Sequence, residues 1–323
     1  MYVQKIALVT LLLFGFFTQP SWAQSHSDGF AMMDRMINAF SKLSYEGVFV
    51  RFNGADMDSM QVRHSMIDGV EYESLVDLDG SRIEVIRIGD SVICVYPNIS
   101  FENNTAPVSA PFQKFKELNH ERVRQGYEFA ITDEGLVAGR KAQKLELRPK
   151  DAYRFAHHFW LDINTGFLLR HDTLDESGNF LSKVQFTSLN TSPNLKKTDF
   201  VPRMGVYTEH VVRSTPKSVD GEWTFDWLPN GFSPVWDGEK QMEGKTSMMM
   251  ISDGITSISV FIEPAQTTKS LSVTKMGQTL AGEKTYMMNG VPYLLTAVGE
   301  VPDITIRKLL SAIVPRKSDS SKS

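Results

Sequence analysis

Histidines with nearby carboxylates are the first residues in this 323-residue chain whose types could bind a metal ion. His157 and His158 are adjacent, Asp162 follows them, and His171-Asp172 comes next along the chain. Adjacent residues of a strand point to opposite faces of its sheet, so one ion cannot easily take both His157 and His158 as ligands. We therefore interpret these histidines as structural or surface residues and predict no metal site.

Two carboxylates on one predicted strand and the thiol are the next candidates for catalytic groups. Glu71 and Glu73 share one face of a predicted strand, as acid/base chemistry requires, but their alternation with Tyr72 and Val76 is typical of the solvent face of a half-buried strand. Cys94 is the chain's 1 cysteine, so it forms no intramolecular disulfide and no thiolate metal site. Its place within a predicted strand indicates a small buried apolar residue.

Sequence motifs of common enzymes are absent. The chain has no Gly-x-Ser-x-Gly elbow, no His-Glu-x-x-His helix, no phosphate-binding loop and no dinucleotide fingerprint. Catalytic groups can converge from distant positions, so this absence argues against an enzyme without ruling one out. We predict no catalytic residue, no cofactor and no enzymatic activity. The formal net charge of −4 also argues against general binding of nucleic acid.

The segment 223–236 is unusually rich in aromatic residues and holds three of the chain's 5 tryptophans. Large aromatic side chains dominate both the cores of small domains and the centres of binding surfaces. We predict that a protein partner contacts Trp223, Trp227, Phe232 and Trp236. A purely structural role in a small core remains the open alternative for each of them.

The elements that position these residues follow from the hydrophobic pattern. From Asp28 to Leu43, apolar residues recur at three- and four-residue steps, which predicts an amphipathic helix. After Tyr45 the pattern alternates and predicts strands at 45–52, 61–67, 70–78, 83–88 and 92–96, with turn dipeptides such as Asp68-Gly69 between them. Such short turns require antiparallel pairing.

Further strands are predicted after a loop at 101–112 and a short helix around 112–125; they lie at 127–131, 143–147, 153–162, 167–173 and 180–189. A second periodic region has strands at 223–228, 245–251, 255–262, 284–288 and 293–300, followed by a helix at 304–314. We predict the α+β class with an N-terminal domain at 24–205, a linker at 206–218, a smaller α+β C-terminal domain at 219–316 and a polar tail at 317–323.

The N-terminus has the pattern of a secretory signal peptide. Lys5 precedes an apolar run at 6–17, and Ala23 ends a small-residue cleavage site. The run is shorter than the about 20 apolar residues of a membrane-spanning helix. We therefore predict that residues 1–23 are removed and that the mature protein is exported and soluble.

Several short segments in a fixed order resemble one known family. They include Tyr45-Glu46-Gly47, Asp151-Ala152-Tyr153-Arg154, residues 159–162 and 164–170, Trp227-Leu228-Pro229-Asn230-Gly231-Phe232, Ser252-Asp253-Gly254 and residues 298–302. Together they resemble the RseB/MucB family of periplasmic regulators of the envelope-stress sigma factor. The resemblance extends over essentially the whole mature chain.

This resemblance implies a fold and a function. The implied N-terminal domain is similar to the lipoprotein carrier LolA and to LppX, an unclosed antiparallel β half-barrel with helices over its concave side. The implied partner is the periplasmic domain of a transmembrane anti-sigma factor of the RseA/MucA type, which family members protect from proteolysis. The family also implies release by a lipid, lipoprotein or lipopolysaccharide ligand, and leaves formation of a homodimer open.

A lipid ligand would need an apolar cavity, and the side chains expected to line it are Met33, Ile37, Phe40 and Phe49. The alternative function is a periplasmic lipid or lipoprotein carrier of the LolA-like class. The presence of an entire second domain favours regulation over simple carriage.

Overall fold

The structure of the protein is a computed structural model that describes residues 22–54, 56–79, 83–95, 115, 118–203, 207–211, 218–219, 221–242 and 244–316. The N-terminal domain consists of α1 (Trp22–Lys42), β1 (Tyr45–Asn53), β2 (Asp56–Ile67), β3 (Val70–Asp77), β4 (Glu84–Ile88), β5 (Ser91–Val95), α2 (His120–Gly126), β6 (Tyr127–Val137), β7 (Arg140–Pro149), β8 (Ala156–Asp162), β9 (Leu168–Leu174), β10 (Phe180–Asn190), a 3-10 turn (Lys197–Phe200) and β11 (Tyr207–Val211).

The C-terminal domain is smaller. Its elements are β12 (Ser218–Val219), β13 (Trp223–Phe225), β14 (Ser233–Pro234), β15 (Glu239–Gln241), β16 (Ser247–Ser252), β17 (Ser257–Pro264), β18 (Ser272–Met276), β19 (Thr279–Met288), β20 (Val291–Gly299), α3 (Asp303–Ala312) and β21 (Ile313–Pro315). Both domains combine helices with antiparallel sheet, so the predicted α+β class is confirmed.

The N-terminal sheet has eleven strands in the order β11-β5-β4-β3-β2-β1-β10-β9-β8-β7-β6. Within the described residues, its two end strands, β11 and β6, do not pair with each other, so the sheet is open as predicted. Buried residues of α1 share one apolar core with residues from strands near both ends of the sheet, which places the helix on the concave side. The apolar stripe predicted for the first helix is therefore its packing face.

The C-terminal sheet has the order β12-β15-β16-β17-β20-β19-β18, with β14 beside β16 and a separate pair formed by β13 and β21. Helix α3 packs on β19 and β20. Its buried Ile306, Leu309 and Leu310 share the apolar core of this domain with Trp223. This second core confirms the smaller α+β domain.

Several tight turns contain a residue with a positive φ angle, among them the turn at the predicted Asp68-Gly69 dipeptide. Asp68 and Asn289 have positive φ angles of 53° and 51°, as the first position of the primed hairpin turns requires. A further hairpin, with Ala138 at a φ of 50°, joins β6 and β7, which extend well beyond their predicted bounds. The pattern there is interrupted by a register shift between Ile131 and Glu134, which breaks the strict alternation that marks a strand in sequence.

Two further differences concern connections. Strand β11 lies within 206–218, the predicted linker, and pairs with β5, so part of that stretch belongs to the N-terminal sheet. The predicted strand 153–162 begins only at Ala156, because the residues before it form a turn between the domains. Helix α2 covers only the end of the predicted 112–125 helix within the described residues. The predicted loop 101–112, the signal peptide up to residue 21 and the tail 317–323 lie outside the described residues.

Cys94 is buried in β5, as its alternating surroundings predicted. In the described ranges, no helix combines the length and the apolar character needed to cross a bilayer.

Candidate functional site: the interface between the domains

A turn of the C-terminal domain inserts into the N-terminal domain. The turn joins β16 to β17, and its Ile255 is only 3% exposed because it packs within the N-terminal apolar core. Gly254 has a φ of 93°, and a Cβ atom there would lie 2.9 Å from Cγ2 of Val123 in α2. The turn therefore needs glycine at this position both for its backbone angle and for its close approach to α2.

The carboxylate of Asp253 lies at the centre of this turn and is fully buried. Its Oδ1 accepts hydrogen bonds of 2.9 Å from the backbone N–H groups of Ile255 and Thr256, which fixes the shape of the turn. Its Oδ2 accepts from the Tyr127 hydroxyl at 3.1 Å and from Nη1 of Arg154 at 3.0 Å. One carboxylate thus connects the C-terminal turn to two side chains of the N-terminal domain.

The Arg154 guanidinium completes this network and is itself almost fully buried. Its Nε and Nη2 donate to the two carboxylate oxygens of Asp151, each at 3.0 Å. Nη2 also donates to the backbone carbonyl of Asn230. The guanidinium carbon lies 5.1 Å from the centre of the Phe232 ring, within the range of a cation–π contact.

The backbone of α2 leaves space for this guanidinium only because residue 126 is glycine. A Cβ atom on Gly126 would lie 1.8 Å from Nη1 of Arg154, far closer than atoms can approach. The end of α2 and the buried guanidinium are therefore fitted to each other.

Burial sets the electrostatics of this network. Burial raises the pKa of the Asp253 carboxyl, and the Arg154 guanidinium and the backbone donors of the turn oppose that rise. Burial, together with the nearby Asp253 charge, also raises the pKa of Tyr127 well above its ordinary value, so its hydroxyl stays protonated and can donate. A buried charge pair of this kind fixes geometry, and removing one partner leaves the other charge uncompensated.

A second contact between the domains involves Trp227. Its ring meets the Tyr153 ring edge-on at 4.9 Å, and Nζ of Lys308 lies 4.0 Å from the Trp227 ring centre. The same ammonium donates to the Tyr153 hydroxyl at 2.7 Å, and the Thr305 hydroxyl donates to the Tyr153 carbonyl at 2.8 Å. Trp227, one of the predicted partner contacts, thus lies where α3 meets the N-terminal domain.

A cleft of about 590 Å³ opens beside these contacts. Its lining residues come from both domains: segments 149–156 and 175–181 of the N-terminal domain and segments 275–280 and 302–304 of the C-terminal domain. Within segment 275–280, the Gln278 N–H donates to Oδ1 of Asn53 at 2.9 Å. We call this space the interdomain cleft.

The other aromatic residues predicted to contact a partner have mainly structural surroundings in the free chain. Trp223 is 2% exposed and Phe232 is 6% exposed, and both lie in the C-terminal core. Trp236 lies beneath Lys240, with Nζ 3.7 Å from its ring centre. A role of these residues in partner binding stays a prediction.

The side chains predicted to line a lipid cavity pack into the N-terminal core. Met33, Phe40 and Phe49 are at most 1% exposed, and Ile37 is half-buried. The Phe40 ring meets the Phe167 ring edge-on at 4.9 Å. A bound acyl chain would have to displace these contacts, and the lipid-lining role stays a prediction.

The histidines considered first as metal ligands are separated by the pleat of β8. His157 faces the core, where its Nδ1 lies 3.1 Å from Nε2 of His171, and His158 lies on the other face, 3.9 Å from Glu146. In the part of the chain that the structure describes, no group of three or more His, Cys, Asp or Glu side chains could hold a metal ion.

We expect Trp227→Ala to lower the free energy of unfolding by about 1–2 kcal/mol, because the ring bridges Tyr153 and Lys308 across the interface. Urea unfolding measures this change, and Lys308→Met is the matched variant that removes the cation and leaves the ring. Partner affinity is measured on the same samples. Lost affinity at an unchanged melting temperature would instead make Trp227 a partner contact and contradict this expectation.

The interface itself was not predicted from the sequence. Arg154 and Asp253 are 99 positions apart, and neither has a spacing that indicates the other. The available signal was the set of family-like segments, because those around Arg154, Asn230 and Asp253 all meet at this interface.

Comparisons with known proteins agree on one family. The family model described as the MucB/RseB N-terminal domain matches residues 28–204, and the MucB/RseB C-terminal domain matches residues 217–314. The sigma-E factor regulatory protein RseB of Haemophilus influenzae is 26% identical over 291 residues, which are 87% of this chain and 89% of that protein.

The sigma factor AlgU regulatory protein MucB of Pseudomonas aeruginosa is 28% identical over 302 residues, which are 91% of this chain and 93% of that protein. Among solved structures, the MucA/MucB complex of Pseudomonas aeruginosa contains a chain similar to this one with a TM-score of 0.75 at 26% identity. That match covers 90% of this chain and 100% of the other. The similarity therefore extends over both domains.

Proposed function

Because this chain belongs to the MucB/RseB family, we propose that it binds the periplasmic domain of a transmembrane anti-sigma factor of the RseA/MucA type. By binding, it protects that factor from regulated proteolysis and so negatively regulates an envelope-stress sigma factor of the sigma-E/AlgU type. The observation that carries this proposal is the match of both domains to MucB as it occurs together with MucA. The site of action is the periplasm, which the predicted signal peptide supports.

This function needs a complementary surface and no catalytic group. Affinity in such surfaces is concentrated in a few well-packed aromatic or arginine anchors. The interface contributes by holding the two domains in one orientation, so that a partner can contact both at once. The chain acts as a regulatory binding protein, and an enzymatic role has no support from its relatives, which are named as regulators.

Release of the partner requires a second state. A ligand shifts an equilibrium only when it binds one state better than the other, so a releasing lipid or lipopolysaccharide must prefer the partner-free form. The carrier alternative has less support, since the predicted lining side chains Met33, Phe40 and Phe49 are packed in the core.

The direct test is a titration of residues 24–323 against the periplasmic domain of the anti-sigma factor from the same organism, followed by digestion of that factor with the protease that starts its degradation. We expect saturable binding and slower cleavage in proportion to the bound fraction. Binding without any effect on cleavage would reject the protective role. An absence of binding, with lipid found in the purified protein by mass spectrometry, would favour the carrier function.

A further inference from the structure

We propose that the interdomain cleft binds an extended, cationic segment of the anti-sigma factor's periplasmic domain, an inference that rests on the function proposed above. The cleft lies between the domains, so its shape depends on the interface that Arg154 and Asp253 hold together. An occupant of the cleft would contact both domains, as a partner that recognises their joint arrangement must do.

The charges of the cleft favour a cationic occupant. Its charged lining residues are the four carboxylates Asp151, Asp175, Glu176 and Asp303 and the two cations Arg154 and Lys275. Asp151 pairs with Arg154, and Asp303 pairs with Arg307 just outside the lining, so Asp175 and Glu176 against Lys275 leave an excess of one negative charge. Arg154 is buried and already donates to Asp151 and Asp253, so it has no free donor face for a ligand. Glu176 is exposed at the rim, and within the described part of the chain its carboxylate forms no ion pair or hydrogen bond.

The walls between these charges are apolar. Phe155, Leu280 and Ile304 are among the residues that line them, and Ile304 is 50% exposed to solvent. Lysine and arginine side chains combine a long apolar stem with a charged end, so they can pack on such a wall while reaching a carboxylate at the rim. An anionic lipid headgroup would instead meet repulsion from the rim carboxylates.

The backbone beside the cleft favours an extended occupant. Strand β18 is the last strand of the C-terminal sheet and pairs only with β19 among the described strands, so one of its edges has no strand partner. Its Lys275 lines the cleft. A peptide in extended conformation can add to such an edge through main-chain hydrogen bonds, while its side chains enter neighbouring pockets.

Two variants of the mature chain test this inference, with the periplasmic domain of the anti-sigma factor as the probe in isothermal titration calorimetry. Glu176→Lys reverses a rim charge, and we expect it to weaken affinity about 3- to 10-fold at low ionic strength and less at high ionic strength. Ala152→Trp fills the cleft from an exposed position, and we expect at least about a tenfold loss at both ionic strengths. Ser177→Trp fills it from segment 175–181.

Glu134→Lys is the matched control, because this exposed carboxylate lies on β6 away from the cleft. The affinity of this variant for the anti-sigma factor should stay within about twofold of that of the unmodified chain. Melting temperatures show whether each variant is folded; Ser177→Trp decides the result should Ala152→Trp lose its fold. If the unmodified chain binds and the cleft variants bind like the control, the inference is wrong while the proposed function stands. Tighter binding by Glu176→Lys would reject a cationic occupant. If the unmodified chain does not bind, both are wrong.

Discussion

Replacing Arg154 by Ala is expected to destabilise the protein by about 3–5 kcal/mol. The Asp253 carboxylate would remain fully buried without its cationic partner, and an uncompensated buried charge costs this much. The two bonds to Asp151 and the contact with Phe232 would be lost as well. Urea unfolding followed by tryptophan fluorescence and by far-UV circular dichroism measures the change.

Arg148→Ala is the matched control, because its guanidinium is 58% exposed and its buried partner Glu146 would keep the ammonium of Lys144 at 2.8 Å. Removal of one exposed cation, with a second cation still beside the carboxylate, costs about 0–1 kcal/mol. The urea unfolding curve of Arg154→Ala must be fitted with more than one transition, because loss of the interface should let the two domains unfold separately. A loss no larger than that of Arg148→Ala, with one shared transition, would show that the buried pair does not hold the domains together.

The double variant Arg154→Met with Asp253→Leu separates the cost of a lone charge from the value of the pair. Replacement of a buried ion pair by apolar residues of similar size is often neutral or stabilising. We therefore expect the double variant to regain much of the stability lost in Arg154→Ala. The coupling energy from the full cycle reports how strongly the two side chains depend on each other.

Replacing Phe40 by Ala is expected to cost about 3–5 kcal/mol as well, because its ring is fully buried between α1 and the sheet. The edge-on contact with Phe167 would be lost, and the surrounding core can close the resulting cavity only in part. Chemical denaturation measures the stability, and binding of a fluorescent fatty acid measures the lipid affinity of the same sample.

Ile37→Ala is the comparison variant on the same helix. Because Ile37 is only half-buried, this substitution should lower the free energy of unfolding distinctly less than Phe40→Ala. The two variants Phe40→Ala and Ile37→Ala also test the predicted lipid cavity. If Phe40 lines an open acyl site, Phe40→Ala will change lipid affinity while the free energy of unfolding moves by less than about 1 kcal/mol, which would contradict the packing seen around α1.

Local patterns were sufficient for most of the N-terminal domain. The alternation after Tyr45 predicted β1 to within one residue, and Asp68-Gly69 marked the turn between β2 and β3, because these signals act over neighbouring residues. Where the backbone departs from regular pairing, as between Ile131 and Glu134, alternation fails and the strand is underpredicted. Strand β11 was missed for a different reason, since its pairing with β5 is set by distant chain segments.

The interface shows what local patterns cannot supply. Arg154 lies within the predicted strand 153–162, which begins only at Ala156, and Asp253 stands out in the sequence only within the family-like segment Ser252-Asp253-Gly254. Each residue is typical of its local position, and only the three-dimensional arrangement shows that they share one buried hydrogen-bond network. The division of the aromatic segment 223–236 between core and surface depends on packing that composition does not encode.

The position of Ile255 inside the N-terminal core has a consequence for recombination between relatives. Consider a hybrid of two relatives joined at residues 206–218. Its turn at 253–256 would come from one relative, and the residues of α2 and β6 that contact this turn would come from the other. Such hybrids should fold only when the residues facing the turn, above all Val123 and Tyr127, match the donor of the C-terminal half. We therefore expect the two domains of this protein to evolve together, with the turn and the residues that contact it changing in step.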